Sequence, residues 1–321
     1  MGRGMKHFLV KRLLLSLFTL VLLSLMVFFG TQALTGNVGR RILGPFAPEE
    51  AVASLNRELG TDRPIMTQYF SWLGGLVRGE LGHSYAFKRP AADLLFPAFG
   101  KSAKLAVLAF LLVVPLAVLG GVVAAFNEGR FLDRLISLGG LSAAVIPEFV
   151  WAVVLIMVFG LGIKVLPVTA QAPLNSSFLV EIKHLVLPSM CVFFLLFGYI
   201  ARMARAGTVE ALKSDYIRTA VLKGLTWGQV VRRHVLRNAL SPTIAVVATQ
   251  TVFLIGSLVA IELVFNYPGL GQLIFRAAKQ ADFPLLVSAV FIVGLIFIVV
   301  TFLADLCYVF LNPRLRQGKQ A

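Results

Sequence analysis

The chain has 321 residues, of which 58% are hydrophobic and 14% are charged, and its mean hydropathy is +0.85. This balance excludes an ordinary soluble domain, in which roughly a quarter of the residues are charged. Much of the formal net charge of +15 lies in stretches where membrane topology and anionic lipid already explain basic residues, so we expect a lipid bilayer and not nucleic acid as the partner.

Apolar runs long enough to cross a bilayer recur along the whole chain. About 20 residues at helical rise span the hydrocarbon core, and such runs lie at about 9–29, 103–126, 135–160, 185–206, 242–263 and 285–310. The sequence therefore predicts an all-α integral membrane protein with six transmembrane helices. Lys and Arg in the short connections place both termini and the basic region 201–240 in the cytoplasm.

The first apolar run is interpreted as a retained span, since Leu13–Phe29 is longer than the roughly 7–15 apolar residues of a signal peptide. We divide the chain into an N-terminal tail with the first helix (1–30), an external region (31–102) and a five-helix core with a cytoplasmic loop at 207–241 (103–321). In the external region, Ile65, Tyr69, Trp72 and Leu73 recur at helical spacing. Such a helix either lies on the membrane surface or packs on the bundle.

Glu148 follows Pro147 near the middle of the third predicted span, and it is the carboxylate that we place nearest mid-depth. Ionisable groups in membranes usually face the bundle interior or a wet cavity. Glu148 is therefore a candidate for lining a translocation path, with a buried hydrogen-bonding role as the alternative.

A polar insert, EALKSDYIRTAVLKGLTWGQVVRRHVLRNALSP, separates the fourth and fifth spans. It predicts a helix over 208–222 that ends at Gly224, then a second helix that opens with the capping box Thr226/Gln229 and stops near Pro242. Val209, Leu212, Tyr216 and Ala220 form the predicted apolar stripe of the first helix. This stripe either packs on the bundle or membrane surface, or docks into a groove of a separate protein.

Within this insert, DYIRTAVLKGL followed by RRHVLRNALSP resembles the coupling loop of ABC importer permeases, in the dipeptide and oligopeptide branch. The resemblance covers nearly the whole chain. It continues in LGTDRPIMTQYFSWL, GELGHS, IPEFVWAVVLIMVFG, LPVTA, HLVLP, VFNYPGLGQL and the NPR at 312–314. It implies the type I importer permease bundle, in the bacterial cytoplasmic (inner) membrane.

The resemblance also assigns residues to functions. It implies that the helix before Gly224 is a coupling helix that inserts into a groove of an ATP-binding subunit. The residues assigned to this contact are Glu210, Asp215, Tyr216, Arg218, Thr219, Ala220, Lys223, Gly224 and Leu225. Two positions depart from the broader importer consensus, Arg218 where it has Glu and Arg237 where it has Pro; the first is typical of the peptide branch. On the other side, Pro268, Gly269 and Gly271 face an external binding protein and the outer gate, or form an ordinary connector.

The implied assembly contains a second homologous permease, two ATP-binding subunits and an external solute-binding protein. Because no GxxxxGK[ST] sequence occurs, we expect ATP and Mg²⁺ on the partner subunits, no cofactor in this chain and no enzymatic activity. No catalytic residues and no metal ligands are predicted. The implied cargo is dipeptides or short oligopeptides, with nickel chelates, glutathione or oligosaccharides as alternatives within the family. The alternative from another class is a stand-alone secondary transporter.

Overall fold

The computed structural model describes residues 3–311, and its side-chain description excludes residues 3–9, 34, 35, 237, 241 and 308–311. Throughout the described range the named elements are helical, and the extended pairing is limited to an isolated bridge between His83 and Pro90. The prediction of an all-α protein is confirmed. The NPR motif at 312–314 lies outside the described residues.

The α-helices follow one another in this order: α1 (Arg3–Thr35), α2 (Val38–Leu43), α3 (Glu49–Leu59), α4 (Ile65–Val77), α5 (Ala92–Phe126), α6 (Phe131–Arg134), α7 (Gly140–Val145), α8 (Glu148–Leu155), α9 (Phe178–Leu212), α10 (Asp215–Leu222), α11 (Trp227–Val230), α12 (Leu236–Val264), α13 (Leu270–Lys279) and α14 (Phe283–Leu311). Three π-helical segments continue some of them: π1 (Leu135–Gly139), π2 (Ile156–Gly162) and π3 (Val231–Val235).

Five stretches in the described part of the chain are single helices long and apolar enough to cross a membrane. They are Val10–Ala33, Ala92–Phe126, Phe178–Leu212, Pro242–Val264 and Phe283–Cys307. A bent pair, Phe131–Val145 with Glu148–Gly162, makes a sixth when it is counted as one span. Each predicted span thus overlaps one of these helices or the bent pair. The side of the membrane on which the termini lie stays a prediction.

The third span, predicted at 135–160, is broken near its middle. Its two halves are bent by 104° at Ile146 and Pro147. Ile146 is extended, with φ −76° and ψ 125°, because the ring of the following proline disfavours the helical conformation in the residue before it. Pro147 then precedes the first residue of α8, where its missing N–H breaks no helical hydrogen bond.

Two further helix boundaries differ from the prediction. The helix expected over 208–222 is interrupted at Lys213 and Ser214, since α9 ends at Leu212 and α10 starts at Asp215. The second helix does not stop near Pro242, which lies inside α12. The helix continues through this proline because Pro removes only one intrahelical N–H, and neighbouring groups re-satisfy freed carbonyls in membrane helices.

The described residues form two compact units. One contains 3–13, 102–267 and 299–311, and its core surrounds α9. Here α9 and α7 touch through their backbones, because a Cβ added to Gly198 would lie only 2.4 Å from the carbonyl carbon and oxygen of Gly140. The fully buried residues Leu187, Cys191 and Val192 sit on the same helix.

The other unit contains 14–101 and 268–298. Tyr69 of α4 is 4% exposed, donates or accepts a 2.8 Å hydrogen bond with Ser24, and packs edge-on against Phe28 at 5.4 Å between ring centroids. The helix predicted around Tyr69 therefore exists and packs on protein. In the same unit, buried Asp282 accepts hydrogen bonds from the Ser84 hydroxyl and from the Tyr85 and Ala86 N–H groups, and burial with this carboxylate nearby raises the pKa of Tyr85.

Candidate functional site

Within the polar insert, α10 and α11 are joined by a tight turn at the position that the sequence predicts. Gly224 follows α10 with φ +80°, a left-handed conformation that glycine adopts without steric cost. Thr226 then starts α11 with a complete capping box, in which its N–H donates to Gln229 Oε1 at 3.1 Å. The turn is closed by the Leu225 N–H, which donates to the Ala220 carbonyl at 3.3 Å.

The insert has a small hydrophobic core of its own. Its buried members come from both sides of the turn and are Ala211, Ile217, Ala220, Val230, Val235 and Ala239. The buried face of α10 thus consists of Ile217 and Ala220, whereas Tyr216, a member of the predicted stripe, is 41% exposed. The interruption at Ser214, which is extended with φ −80° and ψ 148°, accounts for the difference because the periodicity of α9 does not carry through to α10.

This packing separates the predicted coupling residues into two groups. Ala220 is buried and Leu225 is half-buried, so these two hold the turn together. The others are exposed and could contact a partner: Glu210, Asp215, Tyr216, Arg218, Thr219, Lys223 and Gly224. They are joined on the surface by two apolar side chains, Val221 at 48% and Leu222 at 81% exposure. The outward face of α10 and its C-cap therefore combine charged and apolar side chains.

The end of α9 is held by acidic residues that the sequence analysis missed. Arg205 donates to both carboxylate oxygens of Asp133, and the Nη2–Oδ2 distance is 2.7 Å. Lys213 lies 3.1 Å from Oε1 of Glu128. The available signal was a pair of acids, Glu128 and Asp133, in the otherwise basic stretch NEGRFLDR, but their basic partners lie more than seventy residues away in sequence.

Glu148 and Pro147 lie together at the break in the third span. Glu148 is half-buried in the first turn of α8, and an acidic residue at this position is favoured by the positive end of the helix dipole. Trp151 crosses the break, since its Nε1–H donates to the Ala143 carbonyl at 2.9 Å. The Trp151 ring also stacks on Phe194 of α9, with 4.1 Å between ring centroids. The break is thus a defined corner that presents a carboxylate.

The predicted outer-loop residues form the start of α13. Gly269 is its N-cap and is buried, as is Gly271, whereas Pro268 is half-buried. The exposed side chains of this helix come later, at Phe275, Arg276 and Lys279.

Tyr267 is the last residue of the 102–267 segment, and it is 6% exposed. Its burial and the nearby Glu262 raise the pKa of Tyr267 to about 12, so this hydroxyl stays neutral at physiological pH. Among the residues described, no three His, Cys, Asp or Glu side chains are grouped so that they could hold a metal ion.

Comparisons with known proteins identify the family. The family described as "Binding-protein-dependent transport system inner membrane component" matches residues 117–317, and its N-terminal companion matches residues 5–109. The chain is 30% identical to the "Probable peptide ABC transporter permease protein y4tP" of Sinorhizobium fredii over 309 residues, which is 96% of this chain and 99% of that protein. It is 31% identical to the "Glutathione transport system permease protein GsiC" of Escherichia coli over 312 residues, covering 97% and 99% of the two chains.

These matches extend over the apolar spans and over the insert with its two helices. They confirm the resemblance read from the sequence motifs and the location in the inner membrane as a multi-pass protein. The chain therefore belongs to the binding-protein-dependent inner membrane components, the permease subunits of type I ABC importers.

Proposed function

We propose that this chain forms half of a path through which dipeptides or short oligopeptides are imported, and that α10 couples this path to ATP hydrolysis. The observation that carries the proposal is the outward face of α10. The opposite face of α10, with Ile217 and Ala220, packs in the small core of the insert, so the exposed face is left available for another protein. A helix with a mixed charged and apolar face suits insertion into a groove.

The groove belongs to an ATP-binding subunit, of which the assembly has two. ATP and Mg²⁺ bind to those subunits, because this sequence has no GxxxxGK[ST] loop to hold phosphates. Leu222, at 81% exposure, is the apolar anchor of the docked helix. Asp215, Arg218 and Lys223 surround it and pair with opposite charges on the partner subunit.

A second, homologous permease completes the path. Glu148 lines it, at the corner where the third span breaks. A half-buried carboxylate at a membrane helix break requires water or a polar partner, and a central wet cavity supplies both. An external solute-binding protein delivers cargo near the start of α13, where Pro268 to Gly271 form the framework and Arg276 is exposed.

The cargo assignment rests on the names of the relatives. One is named for peptide and the other for glutathione, which is itself a small peptide. Dipeptides or short oligopeptides are therefore the first candidate, and glutathione is the second. Identifying the ligand that co-purifies with the cognate solute-binding protein, by native mass spectrometry, decides between them. A nickel chelate or an oligosaccharide in that protein would refute both.

The coupling assignment is tested in proteoliposomes that contain the chain with its partner subunits. ATP hydrolysis stimulated by the loaded solute-binding protein and uptake of labelled peptide are measured on the same sample. Reversing a charge with Asp215→Arg, or preventing the positive φ with Gly224→Pro, leaves the protein inserted but lowers uptake per ATP hydrolysed. Gly228→Ala is the matched control, because Gly228 lies in α11 with open space around its Cα. Wild-type coupling in both Asp215→Arg and Gly224→Pro would contradict the proposal.

A further inference from the structure

Asp133 is a carboxylate with almost no access to solvent, and all its hydrogen-bonding capacity is used. It is 4% exposed. Its Oδ1 accepts from Arg205 Nε and from the Ser137 hydroxyl at 3.2 Å, and its Oδ2 accepts from Arg205 Nη2 at 2.7 Å and from the Gly129 N–H at 2.9 Å. Two parallel bonds from one guanidinium fix its orientation as well as its position. A carboxylate this buried costs free energy unless it is fully paired.

A second ion pair lies further along the same helix. Lys213, which caps α9, reaches Glu128, the residue next to Gly129. Arg205 and Lys213 are eight positions apart, which corresponds to about 12 Å along a helix. The last turns of α9 are thus contacted at two points, by Glu128 in the connection between α5 and α6 (residues 127–130) and by Asp133 in α6.

The backbone of α5 also meets α9 directly beside Arg205. A Cβ added to Gly121 would lie 2.3 Å from the Ala201 carbonyl oxygen and 2.9 Å from the Arg205 backbone nitrogen. The same Cβ would lie 2.6 Å from the Ala204 Cβ, so α9 cannot slide along α5 without breaking these close contacts. Close to this contact, the Arg205–Asp133 ion pair joins α9 to α6.

The end of α9 leads directly into α10, with only Lys213 and Ser214 between the two helices. We infer that Asp133 is a positioning residue for coupling: it fixes the end of α9 to α6 and to the connection before it, so that displacement of α10 moves α5 and the third span together. This inference rests on the proposed coupling role of α10. A purely structural role for the ion pair would change how much complex assembles and leave uptake per ATP hydrolysed unchanged.

The test uses the complete transporter in proteoliposomes, with uptake of labelled peptide and ATP hydrolysis measured on the same sample. Asp133→Asn removes the charge, and Arg205→Lys keeps the charge while removing the two parallel bonds. We expect uptake per ATP hydrolysed to fall roughly fivefold or more in both. Arg202→Lys is the matched control, because Arg202 is exposed on α9 one turn earlier, and it should keep the wild-type ratio.

The Asp215→Arg complex separates failure of this inference from failure of the proposed function. If Asp215→Arg lowers the ratio while assembled Asp133→Asn and Arg205→Lys complexes keep it, the positioning role is refuted and the coupling helix stands. If none of the three changes the ratio, the coupling assignment itself fails, and the inference fails with it. Should Asp133→Asn not assemble, Arg205→Lys decides alone: a lowered ratio supports the inference and a wild-type ratio overturns it.

Discussion

Gly224 allows a graded test of the turn that orients α10. Its φ is +80°, and no heavy atom lies within 4 Å of the position that a Cβ would occupy. A substitution therefore adds backbone strain without a clash. A non-glycine residue in the left-handed region costs about 1–2 kcal/mol, and asparagine tolerates this region better than alanine does.

Opening of the turn releases this strain, so the equilibrium constant for opening increases as the strain increases. At 1.4 kcal/mol for each factor of ten, Gly224→Ala should lower the hydrogen-exchange protection of the α10 amides by about fivefold to thirtyfold. The reporter amides include Lys223, whose N–H donates to the Thr219 carbonyl at 3.1 Å, and Leu225. Gly224→Asn should fall between wild type and Gly224→Ala.

The measurement is hydrogen-exchange mass spectrometry on peptides that cover α10, with the protein in nanodiscs. Gly228→Ala serves as the control, since Gly228 has helical geometry and open space, and alanine there should leave protection unchanged or raise it. Exchange of α10 at the wild-type rate in Gly224→Ala would show that the turn does not depend on the left-handed residue.

Three further substitutions test packing elsewhere in the described part of the chain. Gly198→Ala places a Cβ 2.4 Å from the Gly140 carbonyl, about 1 Å inside contact distance, and should destabilise the protein by about 1–3 kcal/mol in thermal unfolding, whereas Gly100→Ala, with open space, should not. Asp282→Asn weakens the bonds from the Ser84 hydroxyl and two N–H groups, and should speed proteolysis of the 84–87 turn while leaving cleavage elsewhere unchanged. Trp151→Phe removes the 2.9 Å bond across the helix break and should lower stability by about 1 kcal/mol; an unchanged melting temperature would refute that bond's contribution.

Local signals in the sequence predicted local features of the fold. The long apolar runs located the spans, and Gly224 with the Thr226 capping box located the turn and the start of α11. Pro147 marked the break in the third span. Its 104° angle was not predictable, because it depends on how the two halves pack against other helices, including the backbone contact of α7 with Gly198.

The face that α10 buries was mispredicted for a related reason. Lys213 and Ser214 contain no helix breaker, so periodicity was carried across them and assigned Tyr216 to the apolar stripe. In the structure the helical periodicity starts anew after the interruption, so Ile217 and not Tyr216 is buried, with 5% exposure. The ion pair of Asp133 with Arg205 could not be found by any local pattern, since it joins residues 72 positions apart.

These features together determine what kind of motion the insert can transmit. If α10 were held by the exposed Lys213 pair alone, its displacement would be absorbed at the Ser214 break, because surface ion pairs contribute little. The small core joins Ile217 and Ala220 to residues of α9, α11 and α12, so local bending at the break would expose buried apolar surface. Moving the insert with the end of α9 keeps that core intact, and the buried Asp133 then carries the displacement to α6 and the connection before it. Rigid transmission is therefore favoured over local unfolding by the same contacts that stabilise the fold.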